Sequence, residues 1–122
     1  KRQMAVFADP NCGYCKRFEA DIEKLKDVTV HVYLIPILGQ DSVAKTRNIW
    51  CAKDKAKTWS DWMIKGVTPA NASCDTGAID ANLALAQKHR ITGTPTVVFE
   101  SGQRVPGAIP VAQVEQLLSD AR

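Results

Sequence analysis

The 122-residue sequence predicts an α/β domain, a mixed β-sheet flanked by helices. Three observations carry that reading. A strand–helix–strand run opens the chain over residues 3–35, which calls for one parallel crossover. A turn, Ser101-Gly102-Gln103, separates two short extended runs near the end and predicts a hairpin. Between them lie helical patterns, with apolar residues recurring at spacings of three and four.

Taken in order, residues 3–8 read as a short buried strand. A helix is expected over about 13–26, because Cys15, Phe18, Ile22 and Leu25 share one face. Residues 28–35 (Val-Thr-Val-His-Val-Tyr-Leu-Ile) are rich in β-branched and aromatic side chains and predict a central strand, ended by Pro36 and Gly39. Asp41 or Ser42 is expected to cap a helix reaching about residue 53, and helix resumes over 58–65 after a break near Asp54. Trp59, Trp62 and Met63 fall on one face there and read as core rather than as a ligand box. Residues 67–77, with Pro69, Asn71, Ser73 and Gly77, predict a loop. A further helix is expected over 78–89 with Ile79, Leu83 and Ala86 inward, then a strand over 96–100 and its hairpin partner at 104–105. A last helix follows Pro110, with Val111, Val114, Leu117 and Leu118 as its stripe.

The chemistry concentrates in Cys12-Gly13-Tyr14-Cys15, at the junction of the first strand and first helix. A helix N-terminus offers unpaired N–H groups and the positive end of the macrodipole. Such a place favours thiolate over thiol, and thiolate is the form that attacks disulfides. Cys12 precedes the first turn and is expected to meet solvent and substrate, whereas Cys15 begins the buried stripe. Cys12 should therefore attack, and Cys15 should resolve the mixed disulfide. Lys16 and Arg17 add positive charge nearby, and Pro10 suits a chain turning from strand into helix. Cys-x-x-Cys is also a zinc spacing, but a second such pair or a matching His pair is missing from the sequence, so no metal is expected.

Cys51 and Cys74 stand outside any short motif and suggest a structural disulfide and an oxidising compartment, the alternative being two buried free thiols. Four cysteines permit three pairings, and the helix argument favours 12–15 with 51–74. Net charge of +3 is too mild to argue for nucleic acid, and Lys53-Asp54-Lys55-Ala56-Lys57 reads as a solvated face. No apolar run approaches the roughly 20 residues that span a bilayer, so a membrane-embedded chain is not expected. The start at Lys1, with no initiator Met and no signal peptide, predicts a processed or excised fragment forming a single domain. Of the remaining polar residues, Asp9 suits a turn or cap, His31 a partly buried strand position, and His89 the carbonyls of a helix end.

Thr92-Gly93-Thr94-Pro95-Thr96 stands directly before a strand, where Thr94-Pro95 is a candidate cis peptide bond. With the order of elements, Cys12-Gly13-Tyr14-Cys15 and Thr94-Pro95 resemble the thioredoxin fold, carrying a helical insertion over about 41–77. Phe7-Ala8-Asp9, the Gly13-Tyr14 dipeptide and the cysteine pair of the insertion are similar to its periplasmic DsbC/DsbG branch. The resemblance covers essentially all of the chain. It implies a thiol:disulfide oxidoreductase or isomerase in the periplasm, without a cofactor. It also implies that Pro95 is cis and faces the cysteines, that Thr94 offers backbone groups to an extended substrate strand, that Gly13 and Tyr14 support the site, and that Cys51–Cys74 is structural. Implied partners are misfolded, reduced or oxidised secreted proteins with cysteines, and a membrane reductant of the DsbD type. Members of this branch carry an N-terminal dimerisation domain and linker helix and form V-shaped dimers. This chain begins almost at the first strand, so that domain is expected to be absent and the fragment monomeric. Thioredoxin itself buries an acidic residue six positions before its first cysteine, and Val6 stands there here. Three alternatives stay open: a non-catalytic thioredoxin-fold binding module, a monomeric reductase or oxidase without isomerase activity, and a metal-binding protein.

Overall fold

Seven residues of strand, Arg2–Ala8 (β1), form the spine of the sheet, with Met4, Val6, Phe7 and Ala8 all buried. The computed structural model describes residues 2–121. Helix Gly13–Ile22 (α1) crosses to strand Val28–Leu34 (β2), which pairs parallel with β1 from Arg2↔Val28 to Ala8↔Leu34. Two helices follow, Gln40–Trp50 (α2) and Lys55–Lys65 (α3), then Gly77–Lys88 (α4). Strand Thr96–Phe99 (β3) runs antiparallel to β1 and turns into Arg104–Pro106 (β4), and helix Val111–Asp120 (α5) ends the fold. The order β2-β1-β3-β4 is the mixed sheet with one crossover and one hairpin that the sequence predicts.

Alternation along β1 divides the core. Met4, Val6 and Ala8 face a cluster built from Cys15, Phe18 and Ile22 of α1, Trp59 and Met63 of α3, and Val114 and Leu118 of α5. Phe7 faces the opposite side, where it meets Ile35, Ala86 of α4 and Ile91, and stacks on Tyr33 with centroids 5.0 Å apart. Helices therefore cover both faces, and β1 is held rigidly in between.

Several expectations are corrected. β2 is an edge strand, not a central one. β-branched residues suit any pleated, half-buried surface, so they mark a strand without saying how many neighbours it has. Its His31 is exposed, bonded to Gln3 Oε1 at 2.8 Å. α1 ends at Ile22 because Lys24 and Leu25 donate to Asp21 and Ile22, three residues back, tightening the chain out of the α-helix. α2 has Gly39 at its N-cap, not Asp41 or Ser42, and stops at Trp50. α3 starts at Lys55, because the Asp54 side chain accepts from the N–H of Lys57 at 3.1 Å. It closes on Gly66 at φ 71°, a left-handed cap that glycine adopts without strain.

A disulfide joins Cys51, at the end of α2, to Cys74 in the loop before α4. Side chains reinforce that tie: Asn48 Oδ1 accepts from the N–H of Ala72, and Arg47 Nε donates to its carbonyl. Removing the bridge as Cys51→Ala/Cys74→Ala is expected to cost about 3 kcal/mol, since the closed loop restrains the unfolded chain. Urea denaturation measures this, and a change below about 1 kcal/mol would mean the loop is held by its side chains instead.

Candidate active site

β1 delivers the chain to Asp9 and Pro10, both fully buried, and there it turns into α1. Cys12 is the N-cap of α1, extended at φ −81° and ψ 117°, and its sulfur accepts from the backbone N–H of Cys15 at 3.2 Å. The Cys12 N–H donates to Asp9 O at 3.1 Å, so the turn closes on itself. Both sulfurs are free thiols. The expected contrast in exposure is smaller than the sequence suggests: Cys12 is 6% exposed and Cys15 1%. The Thr94–Pro95 loop lies against the Cys12 sulfur. What separates the two sulfurs is environment. Cys12 occupies the helix cap, whereas burial pushes the Cys15 thiol far above its ordinary value, and the hydrogen bond to Cys12 adds to the rise. Cys15 therefore rests as a thiol.

The Thr94–Pro95 peptide bond is cis, and the Cys12 thiol lies 3.4 Å from Thr94 O. The strand register produces that meeting. Phe7 pairs with Thr96, so the last residues of β1 and the first of β3 lie side by side at one end of the sheet, although 82 residues separate Cys12 from Thr94. Thr96 Oγ1 donates to Gly93 O at 2.7 Å, and the N–H of Gly107, at φ 88°, donates to Pro95 O at 2.8 Å. The loop is braced at both ends. Gly13 and Tyr14 lie in the exposed first turn, with Tyr14 63% exposed.

Two supports go beyond the residues the sequence singled out. Asp9 makes a turn by accepting from the N–H of Asn11 at 2.7 Å, but it also joins three segments. Ser42 Oγ donates to that same oxygen, Oδ1, at 2.7 Å, and Oδ2 accepts from the N–H groups of Ile37 and Leu38 at 2.8 and 3.0 Å. The loop after β2 and the first turn of α2 are thus fastened to the residue that precedes the motif. Trp62 is not plain core: its indole N–H donates to Pro10 O at 2.6 Å, fixing α3 against the same turn. A buried indole needs an acceptor, and that requirement is the signal in the sequence that could have marked Trp62.

One turn beyond Cys15, Glu19 is buried beside Trp59. Its Oε2 and the Trp59 Nε1 have no hydrogen-bond partner among the described residues. Burial pushes this carboxyl up to about 7; the Trp59 N–H, close but short of hydrogen-bond geometry, offsets part of the rise, and Glu23 adds to it. An acid whose pKa is raised by folding stabilises the native state below its unfolded value, and that contribution is lost as pH rises through the folded value. Stability should accordingly fall between about pH 5 and pH 8, by up to about 3 kcal/mol on a shift from 4.5 to about 7. Glu19→Gln removes the titration. The variant is expected to match the protein near pH 5 and exceed it in urea midpoint near pH 8, whereas parallel pH profiles would contradict this.

Among the described residues no cluster of three or more His, Cys, Asp or Glu side chains could hold a metal ion. None of their helices is long and apolar enough to cross a membrane. A pair of free thiols at a helix N-terminus, against a cis-proline loop, is equipped for thiol–disulfide exchange. The chain belongs to the thioredoxin-like domain family, which matches residues 1–122. Within that family it is similar to DsbC proteins. It is 49% identical over 117 residues to the probable thiol:disulfide interchange protein DsbC of Bordetella pertussis, covering 96% of this chain and 42% of the relative. It is 38% identical over 125 residues to the thiol:disulfide interchange protein DsbC of Escherichia coli K12, covering 98% and 52%. The crystal structure of a disulfide interchange protein from Neisseria gonorrhoeae superposes with a TM-score of 0.92 at 39% identity, over 99% of this chain and 88% of that one. This chain spans about two fifths to one half of the length of the curated relatives it matches.

Proposed function

We propose that this domain is the catalytic part of a DsbC-type thiol:disulfide interchange protein, exchanging disulfides with protein clients through Cys12 and Cys15. The observation that carries the reading is the placement of the Cys12 sulfur at the N-cap of α1, 3.4 Å from Thr94 O of the cis-proline loop. In the reducing direction, the Cys12 thiolate attacks one sulfur of a client disulfide. A mixed disulfide forms and the other client sulfur leaves as thiolate. Cys15 then loses its proton and attacks Cys12, which expels the second client thiolate and leaves a Cys12–Cys15 disulfide. The client gains two electrons and the protein loses two. Where a client thiol attacks the mixed disulfide instead, the client is isomerised and the pair stays reduced. The same steps reversed make a disulfide donor.

Gly13 and Tyr14 shape the approach to Cys12, Thr94 and Pro95 offer the backbone along which a client strand lies, and Cys51–Cys74 is structural. Residues 1–122 act as one domain, with 41–77 as a helical insertion. A disulfide in the insertion supports an oxidising compartment, and with the DsbC relatives it supports the periplasm. There the partners would be secreted proteins with cysteines, and a membrane reductant of the DsbD type would return the pair to the thiol state. The test is turnover: the reduced protein should reduce insulin in the presence of a thiol donor and exchange disulfides with scrambled ribonuclease. Reduction without reactivation of ribonuclease would assign it as a reductase lacking isomerase activity. No exchange with either substrate would leave a non-catalytic binding module.

A further inference from the structure

Two cations, Lys16 at the end of the first turn of α1 and Arg17 at the start of the second, follow the motif, and the first turn contains no acidic residue. This opposes the helix macrodipole, which favours negative side chains at an N-terminus and penalises positive ones. Neither pairs with a carboxylate among the described residues; each lies over an aromatic ring instead. Lys16 Nζ is 4.5 Å from the centroid of the Trp62 ring, and the Arg17 guanidinium 5.1 Å from that of Tyr14, which sits between the two cysteines. Lys45 of α2 also lies over the Trp62 ring, at 4.9 Å, but its charge is paired with Asp41. Stacking holds the Lys16 and Arg17 charges in place without neutralising them. The cis-proline loop carries positive charge as well. A cavity of about 390 Å³ beside Thr94 and Pro95 is lined by Arg90 and Arg104 and has no acidic residue in its wall. Of the carboxylates around this turn, Asp9 is buried and turned to four donors rather than to the rim, and Asp41 is paired with Lys45. Lys16 and Arg17 thus stand as unpaired cations on the turns of α1 that follow Cys12, and the local sequence departs from helix preference to put them there.

We propose that this surface selects partners whose reacting cysteine is flanked by acidic residues, a negatively charged protein segment laid along the Thr94–Pro95 loop. The proposal rests on the exchange reading and names its partner chemistry. Cations at the rim raise the encounter rate with anionic disulfides, lower it with cationic ones, and lose both effects as salt screens them. The experiment follows the reduced protein with oxidised glutathione, which is anionic, and with cystamine, which is cationic. It does so from about 0.01 M to about 1 M salt, where the screening length falls from roughly 30 Å to roughly 3 Å. Added salt should slow the glutathione reaction and speed the cystamine reaction, so their rate ratio falls by about tenfold. K16Q/R17Q should remove most of that salt dependence. A control, K26Q/K88Q, makes the same change in net charge at exposed positions away from the motif and should leave it intact. A salt-independent ratio, or equal loss in the control pair, overturns the proposal alone. No reaction of Cys12 with either disulfide overturns the exchange reading together with it.

Discussion

Cys12→Ser is expected to lose disulfide exchange by several orders of magnitude, and Cys15→Ser to accumulate covalent complexes with client proteins. The two variants differ because the sulfurs act at different steps. Without Cys12 the remaining thiol is 1% exposed and held protonated by burial, so it seldom reaches a client. Without Cys15 the first attack proceeds, but nothing within reach resolves the mixed disulfide, which persists until an outside thiol arrives. Non-reducing gels of each variant mixed with oxidised insulin would read the difference directly. Equal trapping by both variants would overturn the assignment of roles, showing that either sulfur can begin the reaction.

The second large effect belongs to Asp9→Ala. This carboxylate is fully buried and accepts four hydrogen bonds, from the N–H groups of Asn11, Ile37 and Leu38 and from the Ser42 hydroxyl. Alanine would leave those donors without their acceptor, the Ser42 hydroxyl fully buried and the three N–H groups partly so. Orphaning a buried donor costs about 1–3 kcal/mol, so a combined loss of about 3–5 kcal/mol is expected after relaxation. Function should fall too, because the Asp9 side chain fastens the turn that carries Cys12 to the loop after β2 and to α2. Asp9→Asn separates shape from acceptor chemistry. It preserves the outline but turns one oxygen into an N–H donor facing donors, so it should also be destabilised. An asparagine variant as stable as the protein would show that the network is not held together by this carboxylate.

Much of this was legible in the sequence because local rules decide it. Period-two and period-3.6 patterns mark the strands and helices, and Cys-x-x-Cys at a strand–helix junction marks the reactive pair. What the sequence concealed is set by pairing between distant segments. Val28–Leu34 looks like an ideal inner strand, yet β1 takes the centre, because neighbour order depends on which strands find each other rather than on β propensity. The meeting of Cys12 with Thr94 follows from the β1–β3 register, which no local pattern encodes. Asp9 and Trp62 were hidden for the same reason. A turn residue and an apolar-face tryptophan have ordinary local roles, and only the tertiary fold brings Ile37, Ser42 and Pro10 to them. The sequence overstates the exposure of Cys12, because a helix cap is open in an isolated helix, whereas here the cis-proline loop packs against its sulfur.

The account depends on Cys12, rather than Cys15, being the sulfur that meets the outside. Treating the fully reduced protein with less than one equivalent of iodoacetamide near neutral pH, then mapping the modified peptides by mass spectrometry, tests that directly. The label should sit on Cys12 with Cys15 essentially untouched. Label on Cys15 in equal or greater amount would contradict it.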